Sequence, residues 1–154
     1  MTIKKLLQSL VDHKVKFIVI GGMAFPAYGY IRSTYDIDSF FEPTKANVRR
    51  LIKALTSFGY LGLEDLTEQQ LIKKKTLFRQ YLLYTDIHPY VAGADFKKVW
   101  QTRKEVEIEN VKVYVPSLDN LISMKKAAGR IKDLSDLEYL EEIKKQLDKK
   151  REIK

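Results

Sequence analysis

FIVIGGMAFPAYGYIRSTYDIDSFFE, residues 17–42 of a 154-residue chain, is the stretch on which the fold turns. The run KFIVI from Lys16 to Ile20 is short, β-branched and aromatic, as a buried strand requires, and Gly21-Gly22 ends it. DIDSFF, residues 36–41, reads as a second strand. Two apart on a strand, Asp36 and Asp38 point to the same face, where their charges repel unless a cation lies between them. Hard divalent ions such as Mg²⁺ are held by carboxylate oxygens together with substrate phosphates, and two such ions stabilise the attacking and leaving oxygens of phosphoryl transfer. A chance Asp-x-Asp in a solvated turn is the competing reading. Gly21 and Gly22 lie at a strand-to-helix transition before Met23, Ala24 and Phe25, where backbone N–H groups can approach a phosphate; an ordinary tight turn is their bland alternative.

Outward from this stretch, Ile3, Leu6, Leu7, Leu10 and Val11 share one helical face, with Thr2 placed to cap it. Pro43-Thr44 opens a helix whose apolar stripe is Val48, Leu51, Ile52 and Leu55, and Gly59 stops it. A helix is expected near 68–74, a long strand within 77–91 limited by Pro89, and a short helix over 95–103. Residues 105–108 and 111–115 alternate around Glu109-Asn110 as a hairpin does. Ser117 caps a helix carrying Leu118, Leu121 and Ile122, and a last helix carries Leu134, Leu137 and Leu140. Strands mixed with helices in this order predict an α/β or α+β sheet with helices packed against it.

Composition narrows the function. The chain has 28 Lys+Arg against 20 Asp+Glu, a formal net charge of +8, with 45% hydrophobic residues, and one domain spanning 1–154 is expected. Cysteine is absent, which removes thiol nucleophiles, Cys-ligated zinc, iron–sulfur clusters and disulfides. With only His13 and His88, a His-rich metal site is excluded as well. The longest nearly unbroken apolar run, residues 17–25, is far short of the roughly 20 residues that cross a bilayer, and 1–12 lacks a signal-peptide core. A cytoplasmic protein without membrane partners is the expectation. Residues 144–154 (KKQLDKKREIK) hold six basic and two acidic side chains, half of the excess charge. Such a basic helix end suits RNA or nucleotides, and equally a solvated terminus.

The compound order of buried strand, Gly-Gly, short helix and Asp-x-Asp resembles the nucleotidyltransferase superfamily, the fold of DNA polymerase beta, in its minimal bacterial form. Ile20-Gly21-Gly22 is similar to that family's Gly-Gly/Ser motif and Asp36-Ile37-Asp38 to its paired metal carboxylates. Gly29-Tyr30 with the run from Arg32 to Asp38 is similar to the AbiEii-like branch, which includes toxins of toxin–antitoxin pairs. Residues 91–96 and 124–137 continue that likeness. The resemblance implies a nucleotidyltransferase-type mixed β-sheet flanked by helices and a Mg²⁺-dependent site, with Mn²⁺ as a substitute. It makes Asp86 the third carboxylate, and Gly21, Gly22, Arg32 and Lys125 the nucleotide-binding positions. The implied partners are an NTP and a macromolecular acceptor, RNA or protein. A non-catalytic regulatory or RNA-binding module of the same fold is the alternative. Lys125 stands out independently, because it continues the Leu118, Leu121 and Ile122 stripe, as a phosphate ligand or as a lysine snorkelling at the rim of the core. Arg130, Asp133 and Asp136 match the branch's basic-then-acidic stretch, although charges at i,i+3 on a helix are usually structural. The chain departs from the family at Tyr28, where relatives often carry histidine, at Ser39 after the second Asp, and at Gly22 where wider members have Ser.

Overall fold

The computed structural model describes residues 2–31, 36–79 and 83–153. Its centre is a four-stranded mixed sheet of β1 (Phe17–Ile20), β2 (Asp36–Phe41), β4 (Tyr84–His88) and β3 (Thr76–Phe78), in that spatial order. β1 runs antiparallel to β2, β2 parallel to β4, and β3 antiparallel to β4. A separate hairpin joins β5 (Lys104–Ile108) to β6 (Val111–Val115). Its two-residue turn has both Glu109 and Asn110 at positive φ, 52° and 64°, the geometry that matches the right-handed twist of the flanking strands.

The helices are α1 (Ile3–Asp12), α2 (Lys45–Phe58), α3 (Glu68–Lys73), α4 (Phe96–Gln101), α5 (Leu118–Ala128) and α6 (Ile131–Ile153). Thr2, Thr44, Thr67 and Ser117 each accept a backbone N–H at a helix start, satisfying a donor that the first turn leaves without a partner. No described helix is long and apolar enough to cross a membrane.

The strand period of two divides the interior into two layers. Phe17 and Val19 of β1, with Ile37 and Phe41 of β2 and Ile87 of β4, belong to the larger core shared with α1, α2 and the hairpin. Ile18 and Ile20, with Phe40, face the other way and pack with Phe96 and Val99 of α4 and Met124 of α5. Alternation puts Asp36, Asp38, Asp86 and His88 on this second face, at the end where the apolar residues stop. The site is therefore fixed by strand register.

Three expectations need correction. Residues 77–91 hold two strands rather than one long one: Thr76 pairs with Ile87 and Phe78 with Thr85, so the chain reverses between them without a Gly or Pro marker. On α6 the buried positions include Asp133, Asp136 and Leu140, while Leu134 is 57% exposed. The inward stripe passes through two aspartates, which an apolar pattern cannot show. Val11 likewise lies at the margin of the α1 face, 38% exposed, with Leu6, Leu7 and Leu10 buried.

One polar residue ties the sheet to α2. Asn47 is fully buried; its Oδ1 accepts the Lys16 N–H at 2.7 Å, and its amide donates to the Lys16 and Glu42 carbonyls at 2.9 and 3.0 Å. These groups flank the paired ends of β1 and β2: Asn47 is the partner of the Lys16 N–H and the Glu42 carbonyl, and the Lys16 carbonyl also accepts the Glu42 N–H at 3.1 Å. Buried groups left without partners cost 1–3 kcal/mol each. Asn47→Ala is predicted to destabilise the fold by about 3 kcal/mol in urea unfolding; a loss below about 1 kcal/mol would show that water replaces the side chain.

Candidate active site

The turn after β1 is built around Gly21. Residues Gly21–Met23 and Phe25–Tyr28 form two short 3₁₀ turns rather than an α-helix. Gly21 has φ +70°, and a Cβ there would lie 2.8 Å from Asp38 Oδ2. The backbone angle strains any larger residue, and a Cβ there would have to displace the Asp38 carboxylate. The glycine thus lets the backbone lie directly against the second aspartate of the pair.

Strand pairing brings the carboxylates together. Asp38 and Asp86 are register partners in the parallel β2–β4 ladder, so both project from the same face. Asp36 is exposed, Asp38 partly buried and Asp86 buried. His88, two residues beyond Asp86 and on its face, shares a hydrogen bond between Nε2 and Asp38 Oδ1 at 2.9 Å. Arg79 donates to Asp86 Oδ1, and its guanidinium lies 4.9 Å from the Tyr84 ring centroid. The hydrogen bond to Asp86 raises the Arg79 pKa above its ordinary value against the opposing effect of burial, and the charges of Asp86, Asp36 and Asp38 add to the rise.

Asp38, Asp86 and His88 each offer a ligand atom within 4.8 Å of the others, close enough to share one ion. Asp36 is not part of that group, although it lines the same cleft, whose volume is about 340 Å³. Sequence reasoning passed over His88 and Arg79. The signal for His88 was Asp86-Ile87-His88, which repeats the same-face spacing of Asp36-Ile37-Asp38.

The helical side of the cleft carries Lys125. Its side chain is 15% exposed, and its Nζ donates to Asp133 Oδ1 at 2.9 Å and pairs with Asp136 Oδ2 at 3.2 Å. The same Nζ stands 5.2 Å from the Phe25 ring centroid. Asp133 also takes Arg130 through Nε at 2.6 Å and Nη2 at 3.2 Å. Asp136 accepts the Tyr30 hydroxyl at 2.9 Å, and the Tyr30 ring stacks between Phe25 and Tyr139. The basic-then-acidic stretch is therefore structural as read, and it also lines the cleft. Neighbouring Lys126 is 60% exposed and reaches Glu141 instead, as the turn of about 100° per residue requires. Tyr28 donates its hydroxyl to the Pro116 carbonyl at 2.6 Å; burial, with Asp119 adding to it, pushes its pKa up to about 12. Arg32 lies outside the described residues.

A glycine turn thus lies against paired strand carboxylates, with a lysine on the helical side of the cleft. Residues 1–151 match the family described as nucleotidyltransferases of unknown function (DUF6036), and the chain belongs to that family. No curated protein sequence matches it. Among solved structures it is similar to the lincosamide antibiotic adenylyltransferase LnuA in its lincomycin-bound crystal structure. The TM-score is 0.56 at 19% identity, over 93% of this chain and 98% of the other, a likeness of fold.

Two predictions follow the lysine. Removing one member of a buried ion pair leaves the other charge uncompensated. Lys125→Ala is predicted to cost about 3 kcal/mol of stability in urea, with Lys126→Ala within about 0.5 kcal/mol of wild type; equal effects would show that Asp133 and Asp136 do not depend on Lys125.

The second prediction concerns acid. Burial alone raises the Asp133 carboxyl, but the hydrogen bonds and charges of Arg130 and Lys125 outweigh it and bring it from 3.8 to about 2. A depressed folded-state pKa gives stability that is present above the unfolded value, near 4, and is lost as pH falls from there through about 2. At 1.36 kcal/mol per unit this is about 2 kcal/mol. The stability gap between wild type and Asp133→Asn is predicted to shrink by that amount as pH falls from 5 towards 2, measured by denaturant titration at each pH. A gap independent of pH would remove Asp133 as its source.

Proposed function

We propose that the protein transfers a nucleoside monophosphate from an NTP to a hydroxyl of an acceptor. The acceptor oxygen bonds to the α-phosphorus, the bond from that phosphorus to the oxygen bridging to the β-phosphate breaks, and pyrophosphate leaves. The observation that carries this reading is the placement of Asp38 beside Asp86 in one ladder, next to a cleft lined by Asp38, Gly21 and Lys125. Uniform positioning of this kind is what phosphoryl transfer asks of a protein, since the reaction needs orientation and charge stabilisation more than covalent chemistry.

Each residue has a role in this reading. The donor set is mainly carboxylate and suits divalent ions, Mg²⁺ or Mn²⁺, held by Asp38 and Asp86, with Asp36 on the same face to serve a second ion. Such an ion, when bound, neutralises phosphate charge and polarises the reacting oxygens. Gly21 and Gly22 admit the triphosphate close to the backbone. Asp86 accepts the proton of the attacking hydroxyl. Lys125 and Arg32 balance charge on the departing phosphates, with Asp133 and Asp136 holding the Lys125 ammonium in place until the nucleotide arrives.

The acceptor in this reading is a macromolecule, RNA such as tRNA or a protein. The basic end of α6 at 144–154 favours RNA. The AbiEii-like likeness adds a toxin–antitoxin setting in the cytoplasm, where NTPs are abundant. A small-molecule acceptor is the second reading, favoured by the antibiotic in the solved neighbour. A non-catalytic module of this fold is the third, in which Arg79 and His88 keep Asp86 and Asp38 permanently engaged.

The test supplies each α-labelled NTP with Mg²⁺ or Mn²⁺ and a cell extract, and follows where the label goes. RNase-sensitive, protease-sensitive and low-molecular-weight label separate the acceptors. Asp36→Asn and Asp38→Asn are each predicted to reduce transfer to background while keeping the fold, and to raise the metal-free thermal midpoint by relieving carboxylate repulsion. Wild-type transfer in both variants would end the catalytic assignment.

A further inference from the structure

We propose that His88 is a metal ligand, completing with Asp38 and Asp86 a mixed oxygen and nitrogen site that favours a borderline divalent ion such as Mn²⁺ over Mg²⁺. The inference rests on the nucleotidyl-transfer reading and concerns the ion that this site takes.

The first argument is placement. β2 and β4 run parallel, with Asp38 opposite Asp86 and Phe40 opposite His88, so His88 stands one same-face step beyond Asp86 along its strand. Its side chain is 17% exposed, and it directs Nε2 rather than an apolar edge at the carboxylates, 2.9 Å from Asp38 Oδ1. The three ligand atoms lie within 4.8 Å of one another, whereas Asp36, which sequence spacing pairs with Asp38, falls outside the group. The geometry thus substitutes an imidazole for a carboxylate in the set closest to one point.

The second argument is the state of the carboxylates. Asp86 gives Oδ1 to Arg79, which leaves its other oxygen for an ion, and Asp38 gives Oδ1 to His88 and turns Oδ2 toward Gly21. Nε2 is the ring nitrogen that meets Asp38. An ion placed between them is ligated by the Nε2 lone pair, which the neutral imidazole offers when its proton is on Nδ1.

The third argument is donor chemistry. Mg²⁺ demands oxygen donors and retains its water, whereas imidazole affinity rises from Mn²⁺ along the first transition row. A carboxylate-only site discriminates little between Mg²⁺ and Mn²⁺; a site with one imidazole gains preference for the latter. His13, the chain's other histidine, is bonded to the Ser9 carbonyl at the end of α1, so a nitrogen ligand at this site has one source.

The test uses the full chain with Mn²⁺ as the probe, with and without a non-hydrolysable ATP analogue, and reads bound Mn²⁺ by electron paramagnetic resonance. Pulsed spectra are expected to show ¹⁴N coupling from a directly ligated imidazole in wild type and none in His88→Gln. The glutamine amide still reaches Asp38 as a hydrogen-bond donor but has no nitrogen lone pair to offer. Mn²⁺ affinity is expected to fall at least tenfold in His88→Gln and in His88→Ala, while Mg²⁺ affinity, measured by competition, falls less than threefold. Circular dichroism confirms that each variant is folded. If His88 only positions Asp38, His88→Gln retains wild-type affinity and both ions lose equally in His88→Ala, which overturns the proposal. Bound Mn²⁺ with ³¹P coupling from the analogue but no ¹⁴N coupling also overturns it and leaves nucleotidyl transfer standing. Absence of both couplings removes the proposal and the transfer reading together.

Discussion

The parallel pairing of β2 with β4 places two aspartates side by side in a ladder, and much of the remaining structure manages that juxtaposition. Like charges opposite one another destabilise a sheet. Here Asp38 faces His88 and Asp86 faces Arg79, so each carboxylate has its own proton donor. The cost is borne by a sheet whose β1 strand is buried at all four positions, with Ile18 and Ile20 on the aspartates' face and Phe17 and Val19 on the other. An exposed hairpin could not hold two partly buried carboxylates in fixed register. A sheet with both faces packed can, because a one-residue slip would turn Ile37 and Phe41 out of the larger core.

The helical half solves a related problem with opposite means. Asp133 and Asp136 are buried on α6, and Lys125 and Arg130 neutralise them from α5 and the loop between the helices. These ion pairs fix α6 against α5, while Gly93, ahead of α4, lets its own segment lie against α5, since a Cβ there would sit 2.6 Å from Ala127 Cβ and from the Ser123 carbonyl oxygen. Lys125 is thereby presented to the cleft as a neutralised cation. Any anion that approaches this ammonium must compete with the two carboxylates that already hold it.

Much of this was legible in the sequence where local chemistry decides the outcome. β2 begins and ends where DIDSFF does, and the capping hydroxyls of Thr2, Thr44 and Ser117 sit where helices start. Legibility failed where long-range pairing decides. The reversal between Phe78 and Tyr84 has no turn residue to announce it, and the α6 stripe runs through Asp133 and Asp136 because Lys125 waits across the interface. His88 escaped for the same reason. Its meaning comes from a strand neighbour fifty residues earlier, and composition alone makes two histidines look too few to matter.

The two halves of the cleft meet in residues 21–30. Gly21 lies against Asp38, the Phe25 ring sits beneath the Lys125 ammonium, and the Tyr30 hydroxyl reaches Asp136. Tyr28, anchored on the Pro116 carbonyl with Lys104 over its ring, holds the middle of this segment to the chain entering α5. One short stretch therefore touches both the carboxylate pair and the lysine wall. Two 3₁₀ turns make this possible, because each ends after three or four residues and lets the chain change direction where a continuous α-helix would carry it straight past. Displacing the glycine turn would move Phe25 and Tyr30 with it, so the spacing between the carboxylates and the ammonium is set by the backbone of this segment and not by either wall alone.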